Sequence, residues 1–234
     1  NHTAVVTKDK KLYTFGDGSM GQLGKDYSTM SSHVSENVKE VACGGNHTAV
    51  VKQDGTLFTF GDGSMGQLGN GSSTSSHTHE HVIVRLPEGG VVKKVACGGN
   101  HTAVVTEDGT LYTFGDGSMG QLGNKGSSTS SHTPEHVPLP DEEKVQKVAC
   151  GGNHTAVVTR QGRLYTFGRG IMGQLGIDHN EQSHTPVIVQ LPGQYGKVVK
   201  EVACGGNHTA VVTEHGGLYT FGRNDRGQSG APNP

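Results

Sequence analysis

Short apolar segments alternate with longer polar stretches along the whole chain, and no apolar segment has the length or period of an amphipathic helix. In residues 93–115, the apolar positions fall into three groups, at 95–97, 103–105 and 111–114, which are separated by Gly-Gly and Asp-Gly pairs. Short runs of Val, Ala, Leu, Tyr and Phe between such turns are typical of β-strands. The pattern predicts three antiparallel strands, at residues 93–97, 101–106 and 111–114.

A fourth strand follows from a different kind of signal. After the third strand, which is apolar on both faces, a polar connection leads to residues 132–139. This segment carries Pro134 and Pro138, and proline is tolerated at a sheet edge because no neighbour needs the missing N–H. A strand that is apolar on both faces lies between two packed layers. The four segments, labelled A to D in chain order, therefore predict an antiparallel sheet with strand D at its edge.

The same unit recurs along the chain. Residues 95–123, VACGGNHTAVVTEDGTLYTFGDGSMGQLG, return lightly changed at 41–69, 148–176 and 202–230, and their second half opens the chain at 1–24. Four antiparallel strands in a period of about 54 residues are typical of a β-propeller blade, whereas a period of about 20–30 residues with one strand per turn would indicate a solenoid. We predict one all-β domain over residues 1–234, with repeats at about 1–38, 39–92, 93–145, 146–199 and 200–234.

The repeated phrases VACGG, NHTAVVT, DGTLYTFG and GQLG resemble the repeat of the regulator of chromosome condensation (RCC1) family over nearly the whole chain. The resemblance implies a β-propeller, generally of seven blades. Members serve as guanine nucleotide exchange factors, as parts of HECT-type ubiquitin ligases, as ciliary scaffolds, as a plant UV-B photoreceptor and as inhibitors. The wording is closest to the ciliary GTPase-regulator and ubiquitin-ligase branches. The photoreceptor mechanism uses Trp, and this chain contains none.

The five repeats are not expected to make a complete ring. The pattern lacks strand A in the first repeat and strand D in the last, so two of the five blades are predicted to be incomplete. Seven blades of about 54 residues would need roughly 375 residues. We therefore expect this chain to be part of a longer, seven-bladed propeller, with a closed five-bladed ring as the alternative.

Composition and charge limit the classes of partner that the chain is expected to bind. The chain has a formal net charge of −2 and a pI near 6.7. Such a balance predicts no general attraction to nucleic acid or to acidic membrane surfaces. No apolar run approaches the roughly 20 residues of a membrane span. The expected partner is another protein, and a small GTPase is one candidate.

The cysteines and histidines do not form a recognisable metal-binding pattern. Each cysteine has the same place in its repeat, which favours small buried thiols in a reducing, intracellular compartment (cytoplasmic or nuclear, with a ciliary location possible). No CxxC or HxxxH pair accompanies Cys43 and His47. Three histidines alternate at His77, His79 and His81 and could share one face of a strand as zinc ligands. A solvated outer strand is the favoured interpretation, and no metal is predicted.

Two recurring phrases have tempting but disfavoured interpretations. The strings that begin at Gly16, Gly61, Gly115 and Gly168 match G-x-G-x-x-G, but no helical pattern follows them, so no nucleotide cofactor is predicted. The triplet Asn-His-Thr is a formal glycosylation sequon in every repeat. Its place between a Gly-Gly turn and a core strand predicts internal hydrogen bonds for the Asn and His instead. Since nearly every polar candidate is repeated, no catalytic residue is predicted.

One surface position changes charge between repeats. The A-to-B turns and C-to-D loops are expected to share one face of the propeller, and the residue after YTFG lies there. It is Asp17, Asp62 and Asp116 in three repeats and Arg169 and Arg223 in the last two. We predict that this divided rim contacts a partner of complementary charge, with ordinary surface drift between repeats as the alternative.

These observations favour a non-catalytic scaffold for protein–protein interaction. The first alternative is a guanine nucleotide exchange factor for a small GTPase, although the sequence shows no obvious long insertion in any one repeat. The second is a substrate-receptor module of a HECT ubiquitin ligase.

Overall fold

A computed structural model describes residues 1–25, 34–78, 82–124, 129–193 and 198–230. The described residues form five antiparallel sheets. Blade 1 contains β1 (His2–Val6) and β2 (Leu12–Gly16); blade 2 contains β3 (Val38–Cys43), β4 (His47–Lys52), β5 (Leu57–Gly61) and β6 (Ile83–Val84). Blade 3 contains β7 (Val92–Cys97), β8 (His101–Thr106), β9 (Leu111–Gly115) and β10 (Ser131–His136); blade 4 contains β11 (Val145–Cys150), β12 (His154–Thr159), β13 (Leu164–Gly168) and β14 (Ser183–Ile188). Blade 5 contains β15 (Val199–Cys204), β16 (His208–Thr213) and β17 (Leu218–Gly222), and short 3-10 helices at Pro87–Gly89 and Pro140–Glu142 precede blades 3 and 4.

The sheets stand side by side as the blades of a propeller. Within each blade, the strands pair in chain order from A to D. The A strands β3, β7, β11 and β15 contact one another in sequence, and each also contacts the B strand of the preceding blade. Strand A is therefore innermost and strand D lies at the outer edge. The predicted all-β propeller of four-stranded antiparallel blades is confirmed.

The strand bounds agree closely with the sequence pattern, except at strand D. All five residues of β9 are buried, as expected for a strand between two layers. Strand β10 ends at His136, whereas the pattern predicted a strand to residue 139. The N–H of Val137 still bonds to the carbonyl of Leu111, but Pro138 has no N–H with which to continue the ladder.

The core lies between neighbouring blades, which explains the glycine that ends each GQLG phrase. Phe114 of blade 3 is fully buried in a cluster with Leu57 and Val84 of blade 2. Gly69, at the end of the preceding blade's loop, has φ of 66°, and a β-carbon there would lie 2.7 Å from the Phe114 ring. Only glycine can take this backbone conformation so close to the ring.

The strand register defines two faces. His101 at the start of β8 pairs with Gly115 at the end of β9, and Ser131 at the start of β10 pairs with the same glycine. The A-to-B turns and C-to-D loops therefore lie at one end of each blade, which we call the loop face. The B-to-C turns and the D-to-A crossovers form the opposite end, the hairpin face. No helix among the described residues is long and apolar enough to cross a membrane.

Candidate functional site

A line of histidine–threonine hydrogen bonds joins successive blades on the loop-face side of the core. In each bond, the first residue of strand B in one blade reaches the threonine that follows the equivalent histidine of the next blade. The bonds, measured from Nε2 to Oγ1, are His2–Thr48 (2.7 Å), His47–Thr102 (2.9 Å), His101–Thr155 (2.9 Å) and His154–Thr209 (2.8 Å). We call these bonds the latches. They confirm the predicted internal hydrogen bonding of the histidines.

The latches have a defined direction. Each threonine hydroxyl donates to the backbone carbonyl of a glutamine in the preceding blade's loop, as Thr155 does to Gln121 at 2.8 Å. A hydroxyl carries one proton, so the histidine Nε2 must be the donor to Oγ1. The imidazoles are therefore Nε2–H tautomers that point forward along the chain of blades. The asparagine before each histidine contributes its backbone carbonyl, which accepts the N–H of the residue after YTFG.

Glycine pairs bring the backbones of successive blades into contact beside the latches. The N–H of Gly99 donates to the carbonyl of Gly152 at 3.0 Å, and that of Gly152 donates to Gly206 at 2.9 Å. The imidazole of His101 packs directly on Gly98, where a β-carbon would lie 2.1 Å from its Cε1. The phrase GGNHT is thus a joint between blades.

The predicted rim residues occupy equivalent places on the loop face, but several side chains serve their own loop. The carboxylates of Asp17, Asp62 and Asp116 accept hydrogen bonds from the N–H two residues on, at 2.9–3.0 Å. Asp62 is only 7% exposed. Arg223 makes a two-point ion pair with Asp225 of its own loop. Arg169 is half-buried and has no ion pair among the described residues. Contact with a partner stays a prediction for all five.

Sequence reasoning missed a row of exposed methionines on the same face. Four of them are 37–44% exposed: Met20, Met65, Met119 and Met172. Each lies at the tip of the G-x-G-x-x-G loop, and a glutamine two residues on holds its N–H, as Gln67 holds Met65 at 2.9 Å. The repeated phrase MGQLG could have revealed this row in the sequence. A methionine that recurs between glycines, outside the predicted strands, has no place in the core.

The inter-blade joint and these loops are the parts of the repeat that carry its recurring phrases, and the chain matches a known family over its full length. The family model described as the RCC1-like domain matches residues 1–234. The chain belongs to the RCC1-like domain family.

Individual relatives within the RCC1-like family agree with this assignment. The chain is 34% identical over 241 residues to the ultraviolet-B receptor UVR8 of Arabidopsis thaliana, covering all of this chain and 54% of that protein. It is 40% identical over 139 residues to the X-linked retinitis pigmentosa GTPase regulator of Canis lupus familiaris, covering 59% of this chain and 14% of that protein. It is 32% identical over 239 residues to the human E3 ubiquitin-protein ligase HERC2, covering 98% of this chain and 5% of that protein.

A solved RCC1-like fold superposes closely on the chain. The structure of human WBSCR16 matches with a TM-score of 0.85 at 26% identity, over 99% of this chain and 62% of that chain. The chain thus spans from a twentieth to about half of the curated relatives' length. The family model and this superposition together establish the family and the fold of the chain.

Burial keeps the latch histidines of this RCC1-like domain neutral. Desolvation, followed by the charge of neighbouring imidazoles, lowers the pKa of His47 and His154 to about 4 and that of His101 to about 3. Neutral imidazoles fit the latch geometry, because Nε2 supplies the one proton used and Nδ1 has no hydrogen-bond partner among the described residues. A second proton on Nδ1 would be a buried, unpaired donor.

We predict that acid weakens the domain through these histidines. Between pH 6.5 and about 4, these histidines bind protons in the unfolded chain but stay neutral in the folded one. Their contribution to the free energy of unfolding is therefore complete above pH 6.5 and is lost as the pH falls. The loss is about 1 kcal/mol per histidine for each pH unit. Urea unfolding from pH 7 to pH 5 measures it. Nitrogen NMR of the imidazoles provides the direct check, and imidazolium signals from His101 at pH 6 in the folded protein would contradict the prediction.

The cysteines line the inner strands as free thiols. All four residues are half-buried, so the prediction of buried side chains was too strong, because strand A faces the centre of the propeller instead of a packed layer. Their sulfur atoms are nevertheless shielded: burial raises the pKa of Cys97 and Cys150, and raises that of Cys204 to about 12. Thiols with raised pKa values are poor nucleophiles, which agrees with a packing role.

The described residues contain no cluster of three His, Cys, Asp or Glu that could hold a metal ion. Of the three alternating histidines, His79 and His81 lie outside the described residues, so the zinc hypothesis at His77 stays untested. The G-x-G-x-x-G strings form turns after strand C, and no helix follows them in the described part of the chain.

Proposed function

We propose that this RCC1-like domain is a non-catalytic scaffold that binds another protein through its loop face. The exposed row of Met20, Met65, Met119 and Met172 carries the proposal. Methionine is flexible and polarizable, and it is over-used on surfaces that bind other proteins. Here a glutamine side chain bonds to the backbone N–H of each methionine, so the backbone that carries the apolar side chains is already ordered before a partner binds.

The charged rim lies beside this row, and we propose that it orients the partner. Arg169 is the best candidate among the rim residues, because Arg223 is paired with Asp225 and Asp62 is buried. A charge at the edge of an apolar contact affects association rate and orientation more than affinity. We further propose an intracellular setting, cytoplasmic or nuclear, because the four unpaired thiols suit a reducing compartment.

We propose that the domain is not catalytic because its buried polar groups already have structural roles. A catalytic site needs a few groups with different roles in one place. In this domain, the fully buried latch histidines and their threonine acceptors already bond to one another. These polar groups are therefore committed to holding blades together.

We predict that the double substitution Met65→Glu/Met119→Glu weakens partner binding at least tenfold. Two buried carboxylates in an apolar contact would have no compensating partner. The measurement is the dissociation constant of each protein that cross-links to the native domain. Ile83→Glu is the matched control, because Ile83 is 49% exposed but lies on the outer strand β6. Equal losses in both variants, or a loss in the control alone, would refute the loop-face proposal.

Guanine nucleotide exchange on a small GTPase is the second candidate. The observation that favours it is the 40% identity to a protein named as a GTPase regulator. It would be revealed by accelerated release of GDP from a panel of small GTPases, and the scaffold proposal expects no acceleration. A substrate-receptor role within a HECT ubiquitin ligase is the third candidate, supported by the 32% identity to HERC2.

A further inference from the structure

The hairpin face carries a difference between two otherwise equivalent blades. In blade 4, Arg163 donates from Nη1 to Glu143 Oε1 at 2.8 Å, and the Tyr165 hydroxyl donates to the same oxygen at 2.7 Å. The carboxylate of Asp141 lies 3.8 Å from the guanidinium. The Glu143 side chain is only 4% exposed, and together with Arg163 and Tyr165 it occupies the space between the B-to-C turn and the crossover.

Blade 3 has the same backbone without two of these side chains. Thr110 stands at the place of Arg163 and Gly90 at the place of Glu143, whereas Tyr112 and Glu88 match the tyrosine and the aspartate. The crossovers superpose in conformation: φ is 58° at Glu88 and 55° at Asp141. Gly90 has φ −57° and ψ 133°, close to the −59° and 141° of Glu143. The space that blade 4 fills is therefore left open in blade 3.

The open space is a cleft of about 660 Å³. Tyr112 and His136 form one wall, with ring centroids 5.8 Å apart. Tyr112 is only 7% exposed, yet its hydroxyl has no hydrogen-bond partner among the described residues. In blade 4, the equivalent hydroxyl is satisfied by Glu143. Because the Tyr112 hydroxyl opens into the cleft, it can form a hydrogen bond with a ligand bound there.

The cleft contains charged side chains of both signs, and one of its carboxylates has no ion pair among the described residues. Glu88, Glu107, Asp108 and Lys144 line it. Glu107 is paired with lysines, and Asp108 bonds to Thr110 and lies 3.9 Å from Lys144. Glu88 has no ion pair in the described part of the chain, so its carboxylate is available. Glu88 and Asp108 line the cleft together with Tyr112, and burial, then the charges of these two carboxylates, raise the pKa of the phenol.

We propose that this cleft, at Tyr112, Glu88 and Gly90, binds the guanidinium of an arginine side chain presented by a partner protein. The chain itself supplies the precedent, since Arg163 in blade 4 lies 3.8 Å from Asp141, the residue that matches Glu88. In blade 3, Gly90 stands in place of Glu143, so Glu88 is the carboxylate available to a guanidinium. A planar, permanently charged guanidinium suits a site with a carboxylate and an aromatic wall better than a compact ammonium does. The proposal relies on the scaffold function only for the source of the arginine.

The test is an NMR titration of the whole chain with ¹³C-labelled tyrosines. The probe is the peptide acetyl-Gly-Arg-Gly-amide, and the matched peptide carries citrulline, which keeps the shape but lacks the charge. We expect the Tyr112 ring signals, assigned from Tyr112→Phe, to shift and saturate at about millimolar peptide, because contact of the guanidinium with the aromatic wall adds to the ionic contact. The citrulline peptide should bind at least tenfold more weakly.

Two variants locate the binding. The double substitution Gly90→Glu/Thr110→Arg recreates the blade 4 arrangement without changing net charge, and we expect it to fold normally and to lose at least tenfold in affinity. A β-carbon at Gly90 would lie 2.9 Å from the Thr106 methyl, so that methyl must shift slightly. Blade 4 carries Glu143 with nearly the same backbone angles and with the same Leu and Thr, at Leu139 and Thr159, which supports normal folding. Glu88→Gln should weaken binding severalfold. Asp141→Asn is its control, because it changes the matching carboxylate of the filled site, and it should bind like the native chain.

Several outcomes would overturn the proposal. They are equal binding of the citrulline peptide, full binding by the filled double variant, and no Tyr112 shift up to about 10 mM peptide. Free arginine amide that binds more tightly than the peptide would assign the cleft to a small-molecule guanidinium instead of a protein. Because the Met65/Met119 experiment probes the opposite face, a failure here is distinguishable from a failure of the scaffold proposal.

Discussion

Replacing His101 with Ala should lower the free energy of unfolding by about 3–5 kcal/mol, the range for deleting a large buried ring. The imidazole is fully buried, packs on Gly98 and donates the latch bond to Thr155 at 2.9 Å. The substitution removes that hydrogen bond and opens a cavity between blades 3 and 4. Chemical denaturation monitored by circular dichroism measures the loss.

The chain contains a matched control for this experiment. His208 has the same place in its repeat, but it is half-buried and has no threonine acceptor among the described residues. His208→Ala should therefore cost less than about 1 kcal/mol. A double-mutant cycle between His101→Ala and Thr155→Val should give a coupling of about 1 kcal/mol. Equal losses at His101 and His208 would show that the latch contributes nothing beyond local packing.

Replacing Gly99 with Ala should destabilise the domain by about 2–4 kcal/mol, as expected for overpacking against a backbone that cannot move aside. A β-carbon at Gly99 would lie 2.6 Å from the carbonyl oxygen of Gly152, which is also the acceptor for the Gly99 N–H. The clash would push blades 3 and 4 apart and stretch the adjacent latch. The shift of the denaturation midpoint measures the effect.

Gly206→Ala is the control for the glycine joint. Gly206 occupies the equivalent position in blade 5, and nothing lies within 4 Å of a β-carbon built on it. Neither glycine has a positive φ, so the backbone conformation tolerates alanine at both sites. The control should be within about 0.5 kcal/mol of the native chain. A large loss at Gly206, or none at Gly99, would contradict the role of close backbone approach between blades.

Much of the fold could be predicted because each repeat encodes its blade locally. The apolar positions of β8 and β9 and the turn at Gly109 fix the hairpin, and both faces of β9 are buried as its pattern predicts. The end of strand D was less predictable, since a proline can lie within an edge strand, as Pro134 does, or end it, as Pro138 does.

The contacts between blades could not be predicted in the same way. A latch joins residues 46–55 positions apart, and no local pattern says that a histidine will meet the next repeat's threonine. Likewise, the charge of Asp62 is visible in the sequence, but its burial and its bond to the N–H of Ser64 depend on how the loop packs. The cleft at Tyr112 was available in principle, because Gly90 and Thr110 differ from Glu143 and Arg163 at aligned positions.

The direction of the latch has a consequence for how such chains can lengthen. The donor and the acceptor are consecutive residues of one phrase, as His101 and Thr102 are: the histidine serves the next blade and the threonine serves the previous one. A segment duplicated in tandem would therefore already contain both the histidine donor and the threonine acceptor that its new neighbours require. Growth by internal duplication requires no new interface to evolve, so mutation is free to diversify the outward-facing loops of each copy.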